Sequence, residues 1–172
     1  MRALQIYGPK VCQPEYEKSV RAAAAWLAKA QPRTTDERAF QLLGMEWAGA
    51  DKEAIRKAGR ALIGEQRTDG GWAQLPTLAS DAYATGQALV ALYESGVLSV
   101  TDAAYQRGVR FLLNTQFENG SWYVKSRAIA IQPYFESDFP HGRDQWISVA
   151  ATSWATMALA PATEEPVKRA TK

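Results

Sequence analysis

Histidine and cysteine are almost missing from this sequence, which has one of each, His141 and Cys12. A lone cysteine excludes an intrachain disulfide. With so few of either residue, the chain by itself cannot assemble a zinc site of the His- or Cys-rich kind. Neither a metal nor a cofactor is therefore expected. No apolar run reaches the roughly 20 residues that cross a bilayer as a helix. The first residues, Met1 to Pro9, are too short a run, and too soon broken by Gly8-Pro9, to read as a signal peptide. They read as a chain cut into at a linker. Charge of one sign is lacking too. Twenty basic residues face 18 acidic ones, a net of +2, too little to draw nucleic acid or an anionic membrane. Period-2 alternation, the mark of a half-buried strand, is also absent. These absences leave a soluble, all-α chain.

Trp and Ala are plentiful. Six Trp stand at 26, 47, 72, 122, 146 and 154, and each needs a shaped pocket and a partner for its indole N–H. Ala runs such as Ala22 to Ala25 favour helices that approach one another closely. The chain has 172 residues, 47% of them hydrophobic, enough for one domain with a real core. The expected domain covers 15–160. A linker-like segment (1–14) precedes it, and a small, polar, frayed tail (161–172) follows.

Six helices are predicted. They run over Glu15–Ala30, from the capping box Thr34…Glu37 to Ala48, over Asp51–Gln66, from Asp81 to Ser95-Gly96, from Thr101 or Asp102 to Gln116, and over Ile147–Ala160, stopped by Pro161. They fall into three resembling hairpins. Arg21-Ala22, Trp26-Leu27 and Gln31 match Lys57-Ala58, Ala61-Leu62 and Gln66, and then Arg107-Gly108, Phe111-Leu112 and Gln116. In the second helices, Thr85-Gly86-Gln87 matches Thr152-Ser153-Trp154, with Ala39-Phe40-Gln41 a weaker copy. Two copies carry a full ending: Gln66 to Gly70-Gly71-Trp72, and Gln116 to Gly120-Ser121-Trp122. In each, the glycines allow a sharp turn with φ > 0. The Trp folds back towards the Gln, whose flat amide can stack on an indole and satisfy loose backbone groups at a neighbouring helix end.

These residues resemble the QW motif of squalene-hopene and oxidosqualene cyclases, over roughly 15–160. The resemblance implies an α/α toroid, a ring of six helical hairpins of which this chain holds three, the C-terminal half. The stretch from Tyr123 to Trp154 is also similar to bacterial proteins with prenyltransferase or squalene-oxidase repeats. Class II cyclases protonate their substrate with the middle Asp of Asp-x-Asp-Asp. The corresponding segment here is Asp81-Ala82-Tyr83-Ala84-Thr85, so Tyr83 stands where the acid belongs and Asp81 is left as a helix N-cap. The zinc site of prenyltransferase β-subunits and the Gly-Cys-Gly-Glu-Gln of thioester proteins have no counterpart.

The one long loop, 126–146, concentrates the remaining chemistry. Glu136, Asp138, His141 and Asp144 are the candidate acid/base set. Tyr134, Phe135, Phe139 and Trp146 are candidate walls of a hydrophobic pocket. Tyr83, Gln41, Gln87 and Trp154, on the second helices, are placed to line a barrel mouth. The same residues also suit a plainer role, with the aromatics plugging a barrel end, Asp144 capping the last helix and His141-Gly142 forming a turn. Two functions stay open. One is a terpenoid cyclase or isomerase-like protein binding a hydrophobic, prenyl-like ligand. The other is a non-catalytic repeat module that binds or scaffolds. Three hairpins leave two open ends with apolar faces, so self-association or a missing N-terminal half is expected.

Overall fold

The computed structural model describes residues 2–129 and 133–163. Among these the chain is helical, and its only β contact is an isolated bridge between Trp72 and Asp81. The helices are α1 (Arg2–Tyr7), α2 (Gln13–Leu27), α3 (Thr35–Trp47), α4 (Lys52–Ile63), α5 (Ala82–Glu94), α6 (Ala103–Thr115) and α7 (Gln145–Thr163). No helix among the described residues is long and apolar enough to cross a membrane.

Side chains cap the starts of α3, α4 and α5. Thr34 Oγ1 accepts from the Glu37 N–H at 3.1 Å, and the Glu37 carboxylate accepts from the Thr34 N–H at 3.2 Å. The Asp51 carboxylate accepts from the Glu53 and Ala54 N–H groups at 2.9 and 3.0 Å. That of Asp81 accepts from the Ala84 N–H at 2.8 Å. Asp102 precedes α6 without capping it, because its carboxylate turns back to the Ser99 N–H.

Two boundaries differ from the sequence reading. The segment before Glu15, read as linker-like, holds α1 and the 3-10 turn Lys10–Cys12. The Gln5 side chain ties α1 to the end of α3 by donating to the Trp47 carbonyl at 2.8 Å. Pro161 does not stop the last helix, which continues to Thr163. A proline removes the bond to the carbonyl four residues back. Here that carbonyl belongs to Met157, a residue 47% exposed on the outer face of α7.

Helices α3, α5 and α7 form an inner row with α5 in the middle. On α5, Ala84, Thr85, Gln87, Ala88, Leu89, Ala91 and Leu92 are all buried, so the helix is covered on nearly every side. Outside the row, α4 packs on α3, and α6 packs on α5 and α7. Buried Leu62, Leu89, Leu92, Leu112, Trp72 and Trp122 form the centre of the core, each worth roughly 1.5–3 kcal/mol on transfer from water. Helix α2 contributes only Val20 to the buried set, and its Trp26 is 69% exposed.

The row curls. Phe40 on α3 and Trp154 on α7 meet edge-on, ring centres 6.0 Å apart, although α5 lies between their helices. Gly86 permits this. A Cβ placed on it would lie 2.6 Å from the Trp154 carbonyl carbon and 2.8 Å from the Ala155 nitrogen. Those are backbone atoms of α7 and cannot swing away. Gly86→Ala is therefore expected to cost about 1–3 kcal/mol of stability, from forced separation of α5 and α7. Gly64→Ala provides the control, since its Cβ would meet nothing closer than 3.5 Å at a φ of −62°, and it should gain about 0.4–1 kcal/mol. Urea denaturation of both variants checks the pair, and equal effects would contradict the close approach.

Candidate functional site

The two Gln…Gly-x-Trp segments make matching bonds. Trp72 Nε1 donates to the Leu62 carbonyl and Trp122 Nε1 to the Leu112 carbonyl, each at 2.8 Å. Both carbonyls lie in the last turn of a helix, where the i+4 N–H is lost; that of Leu62 also accepts from the Glu65 N–H and that of Leu112 from Thr115 Oγ1, each at the longer distance of 3.2 Å. The backbone N–H of Trp72 donates to Thr85 Oγ1 at 2.9 Å, and that of Trp122 to Thr152 Oγ1 at 3.1 Å. Gln66 and Gln116 donate to the carbonyls of Gly70 and Gly120 within their own turns, at 2.9 and 3.0 Å. Gln66 also reaches the Ala104 carbonyl of α6 at 2.8 Å. The indole thus adds the shorter bond at the end of the preceding helix, while the Gln amide closes the turn.

The long loop does not gather its acids around one point. Glu136 folds back on the Ser137 and Asp138 N–H groups and accepts from the Tyr134 hydroxyl; this bond raises the pKa of that phenol. Asp138 sits in the same turn with a φ of 62°. Asp144 does not cap α7. One of its oxygens accepts from the Ser126 N–H at 2.8 Å and the other from the Tyr123 hydroxyl at 2.9 Å. Buried Gln145 binds Ser137 and the Phe135 carbonyl, anchoring the loop to α7. Phe135 stacks on Trp146 with ring centres 6.4 Å apart. Trp154 lies on the inner row against Phe40.

His141 begins the turn at Gly142–Asp144 with a φ of 86°. Its Nε2 lies 2.8 Å from Ser121 Oγ, which resembles half of a nucleophilic dyad. Proton accounting says otherwise. Asn119 Oδ1 accepts from the Ser121 N–H at 3.1 Å and lies 2.7 Å from Ser121 Oγ. An amide oxygen only accepts, so the serine proton is committed to Asn119 and His141 Nε2 must be the donor. The imidazole is packed by Phe117, Tyr123 and Phe139, with ring centres 5.2, 5.4 and 6.4 Å away. His141 locks the loop to the Gly120-Ser121 turn.

Polar groups converge elsewhere, in a cleft of about 550 Å3 at the amino ends of α3, α5 and α7, bordered by residues 125–128. Asp36, Tyr83, Gln74, Lys125, Arg127 and Trp146 line it. Asp36 Oδ1 accepts from the Tyr83 hydroxyl at 3.1 Å and from Gln87 Nε2 at 2.8 Å. Burial, and then the Asp36 charge, hold the Tyr83 pKa above its ordinary value, so the phenol stays a donor. Gln87 is 1% exposed, and its Oε1 has no protein partner; an unmet acceptor of this kind costs about 1–3 kcal/mol. Gln74 is a relay, accepting from Arg127 and donating to Asp81 Oδ2 at 2.8 Å. The structure thus brings together the anticipated Tyr83, Gln87 and Trp146. It adds Asp36, Gln74, Lys125 and Arg127, which sequence reasoning missed. Asp36 had a signal, standing in the first turn of α3 as Tyr83 does in that of α5. Lys125 and Arg127 had none, because the chain path after Trp122 brings them there.

The sequence matches no family model, and no solved structure matches the fold.

Burial raises the pKa of Asp81, more than the bonds from Ala84 and Gln74 and the charge of Arg127 lower it. A carboxyl whose folded pKa is raised gives stability below its unfolded pKa of about 3.9 and loses it as pH rises through the folded value. Asn is an equally good N-cap. The stability of the native protein relative to Asp81→Asn is therefore expected to rise as pH falls from 7 towards 4. Urea midpoints of both proteins at pH 7, 5 and 4 read this directly, and a difference that shrank on acidification would reverse the assignment.

Proposed function

We propose that the chain is a squalene-cyclase-like helical-repeat domain, half of an α/α toroid, that binds a hydrophobic small molecule in the cleft between Asp36, Tyr83 and Trp146. The observation that carries the reading is the meeting of Phe40 and Trp154 across α5. It bends the inner row towards the curvature a toroid requires. The bonds shared by Trp72 and Trp122 support two copies of one structural unit. The cleft opens at the amino ends of that row, beside the half-exposed Phe135–Trp146 stack, which offers an apolar wall.

Binding without cyclisation fits the chemistry better than catalysis. Tyr83 occupies the position of the cyclase acid, and its raised pKa makes it a poor proton donor to an alkene. The loop carboxylates of Glu136 and Asp144 are committed to backbone N–H groups and tyrosine hydroxyls. Native mass spectrometry with a terpenoid alcohol such as farnesol tests the binding. A retained one-to-one complex is expected, weakened about tenfold by Trp146→Ala through loss of about 1.4 kcal/mol of apolar contact. Absence of any complex, or indifference to Trp146→Ala, would remove the cleft as the site.

A second reading, assembly, rests on α7. Its 19 residues carry no charge, and Trp146, Val149, Ser153, Met157 and Ala160 lie on one exposed side. In the register that pairs Thr85 with Thr152, Ser153 corresponds to Gly86, through which α5 receives α7. A second copy of the chain, joined α7 to α7, would cover this face. Sedimentation should then give a dimer at micromolar concentration that Met157→Glu converts to a monomer. A native protein that stays monomeric at that concentration rules the assembly out.

A further inference from the structure

The cleft holds charges of both signs that do not neutralise one another. Asp36 lies on one side, with Lys125 and Arg127 along the segment that borders it. The ion pairs among the described residues join Arg21 to Glu17, Arg38 to Glu65, and Arg56 and Arg60 to Glu53. None involves Asp36, Lys125 or Arg127. Opposite charges that share a cleft and could reach each other would pair, so these are held apart by their supports.

The supports are specific. Asp36 Oδ1 is fixed by two donors, the Tyr83 hydroxyl and the Gln87 amide. Gln87 makes that bond while its own Oε1 stays buried and unmet, so the fold bears a cost to hold this carboxylate. Among the described residues nothing donates to Asp36 Oδ2, and a carboxylate has room for several more donors. On the other side, Arg127 is held through one nitrogen by Gln74. A guanidinium has five N–H groups in a fork suited to a carboxylate, and among the described residues only Gln74 takes one. The chain between Lys125 and Arg127 is fixed in turn, because Asp144 accepts from the Ser126 N–H at 2.8 Å.

This charge pattern selects among ligands. A purely cationic ligand at Asp36 meets Lys125 and Arg127. A purely anionic one at Arg127 meets Asp36, with Asp81 behind Gln74. A neutral hydrophobe such as farnesol can lie on the apolar wall but leaves all three charges without a partner, so it binds more weakly than a hydrophobic ligand whose ends meet them. We propose that the cleft binds a small zwitterion, its amine bound by Asp36 and Tyr83, its carboxylate bound by Arg127 and Lys125, and its hydrophobic side chain laid on Trp146. An amino acid or short peptide with apolar side chains is the chemical class. A cleft of about 550 Å3 is large enough for a dipeptide, and Trp146, 53% exposed and backed by the stacked Phe135, lines it with an aromatic surface. The inference rests on the reading of this cleft as the ligand site and specifies the ligand's head groups.

Calorimetric titration with L-leucyl-L-phenylalanine, its N-acetyl form and its C-terminal amide tests it, with farnesol titrated in parallel. The free dipeptide should bind, and each blocked form should bind about tenfold more weakly or worse, the loss of one charge-assisted contact. Asp36→Asn should bind the free and N-acetylated forms equally while still discriminating against the amide. Arg127→Gln should do the reverse. Crossed loss of discrimination is a result that mere unfolding cannot produce, and thermal midpoints confirm that both variants fold. Binding of all three peptide forms alike overturns the zwitterion and leaves a hydrophobic cleft. Binding of farnesol but of no peptide does the same. If neither farnesol nor any peptide binds, the cleft itself falls as a ligand site.

Discussion

The indole N–H of a tryptophan, bonded to a carbonyl in the last turn of the preceding helix, is the contact on which the remaining structure hangs. Trp72 binds Leu62 of α4 and Trp122 binds Leu112 of α6, each across ten residues of chain. A helix end leaves its last carbonyls without donors, and each of these rings is fully or almost fully buried. The bond must be made inside the protein or not at all. Each Trp also gives its backbone N–H to a threonine on the next inner helix, Thr85 or Thr152. One residue therefore closes an outer helix, turns the chain and sets the height of the inner helix that follows. The amino end of α5, with Asp81 and Tyr83, is placed by Trp72. The run from Val124 to Arg127, which borders the cleft, is placed by Trp122.

Small residues decide how the inner helices meet. Gly86 brings the backbones of α5 and α7 together, and Ala82, Ala84, Ala88, Ala151, Ala155 and Ala158 line buried faces of the same two helices. Close approach lets side chains of α3 and α7 meet across α5 and gives the row its curl. The polar groups of the cleft sit at the amino ends of this row, where three first turns converge on one space.

Helix positions were legible in the sequence because local chemistry states them. Thr34, Asp51 and Asp81 each stand where a cap is needed, and each caps. The same local logic failed at Pro161, since a proline ends a helix only where the lost bond matters, and at α1, whose tie to Trp47 spans 42 residues. The candidate site was legible on the helices alone. Tyr83 and Gln87 were marked by their register on α5, one turn apart on the same side. Asp36 faces them from another helix, and Arg127 arrives by a loop. The acids of the long loop misled for a physical reason. A stretch without helix or strand must satisfy its own backbone N–H groups, and Glu136 and Asp144 are spent on doing so.

Asp81 and Ser148 occupy the same register, four residues before Thr85 and Thr152, yet solve one problem in two ways. Ser148 is fully buried and neutral, and its hydroxyl pairs with both the N–H and the carbonyl of Val124. Asp81 meets the matching residue, Gln74, with its side chain, accepting from the Gln74 amide at 2.8 Å, while its backbone bridges to Trp72. That side chain is a carboxylate whose burial disfavours its charge. If capping α5 were its only task, a neutral Ser or Asn would serve at lower cost. The carboxylate does more: it holds Gln74, and Gln74 holds Arg127 at the cleft. A hydroxyl at this position would leave the Gln74 amide, and through it Arg127, less firmly oriented. The buried charge of Asp81 is thus a second support, beside Gln87, for keeping the two signs of the cleft apart.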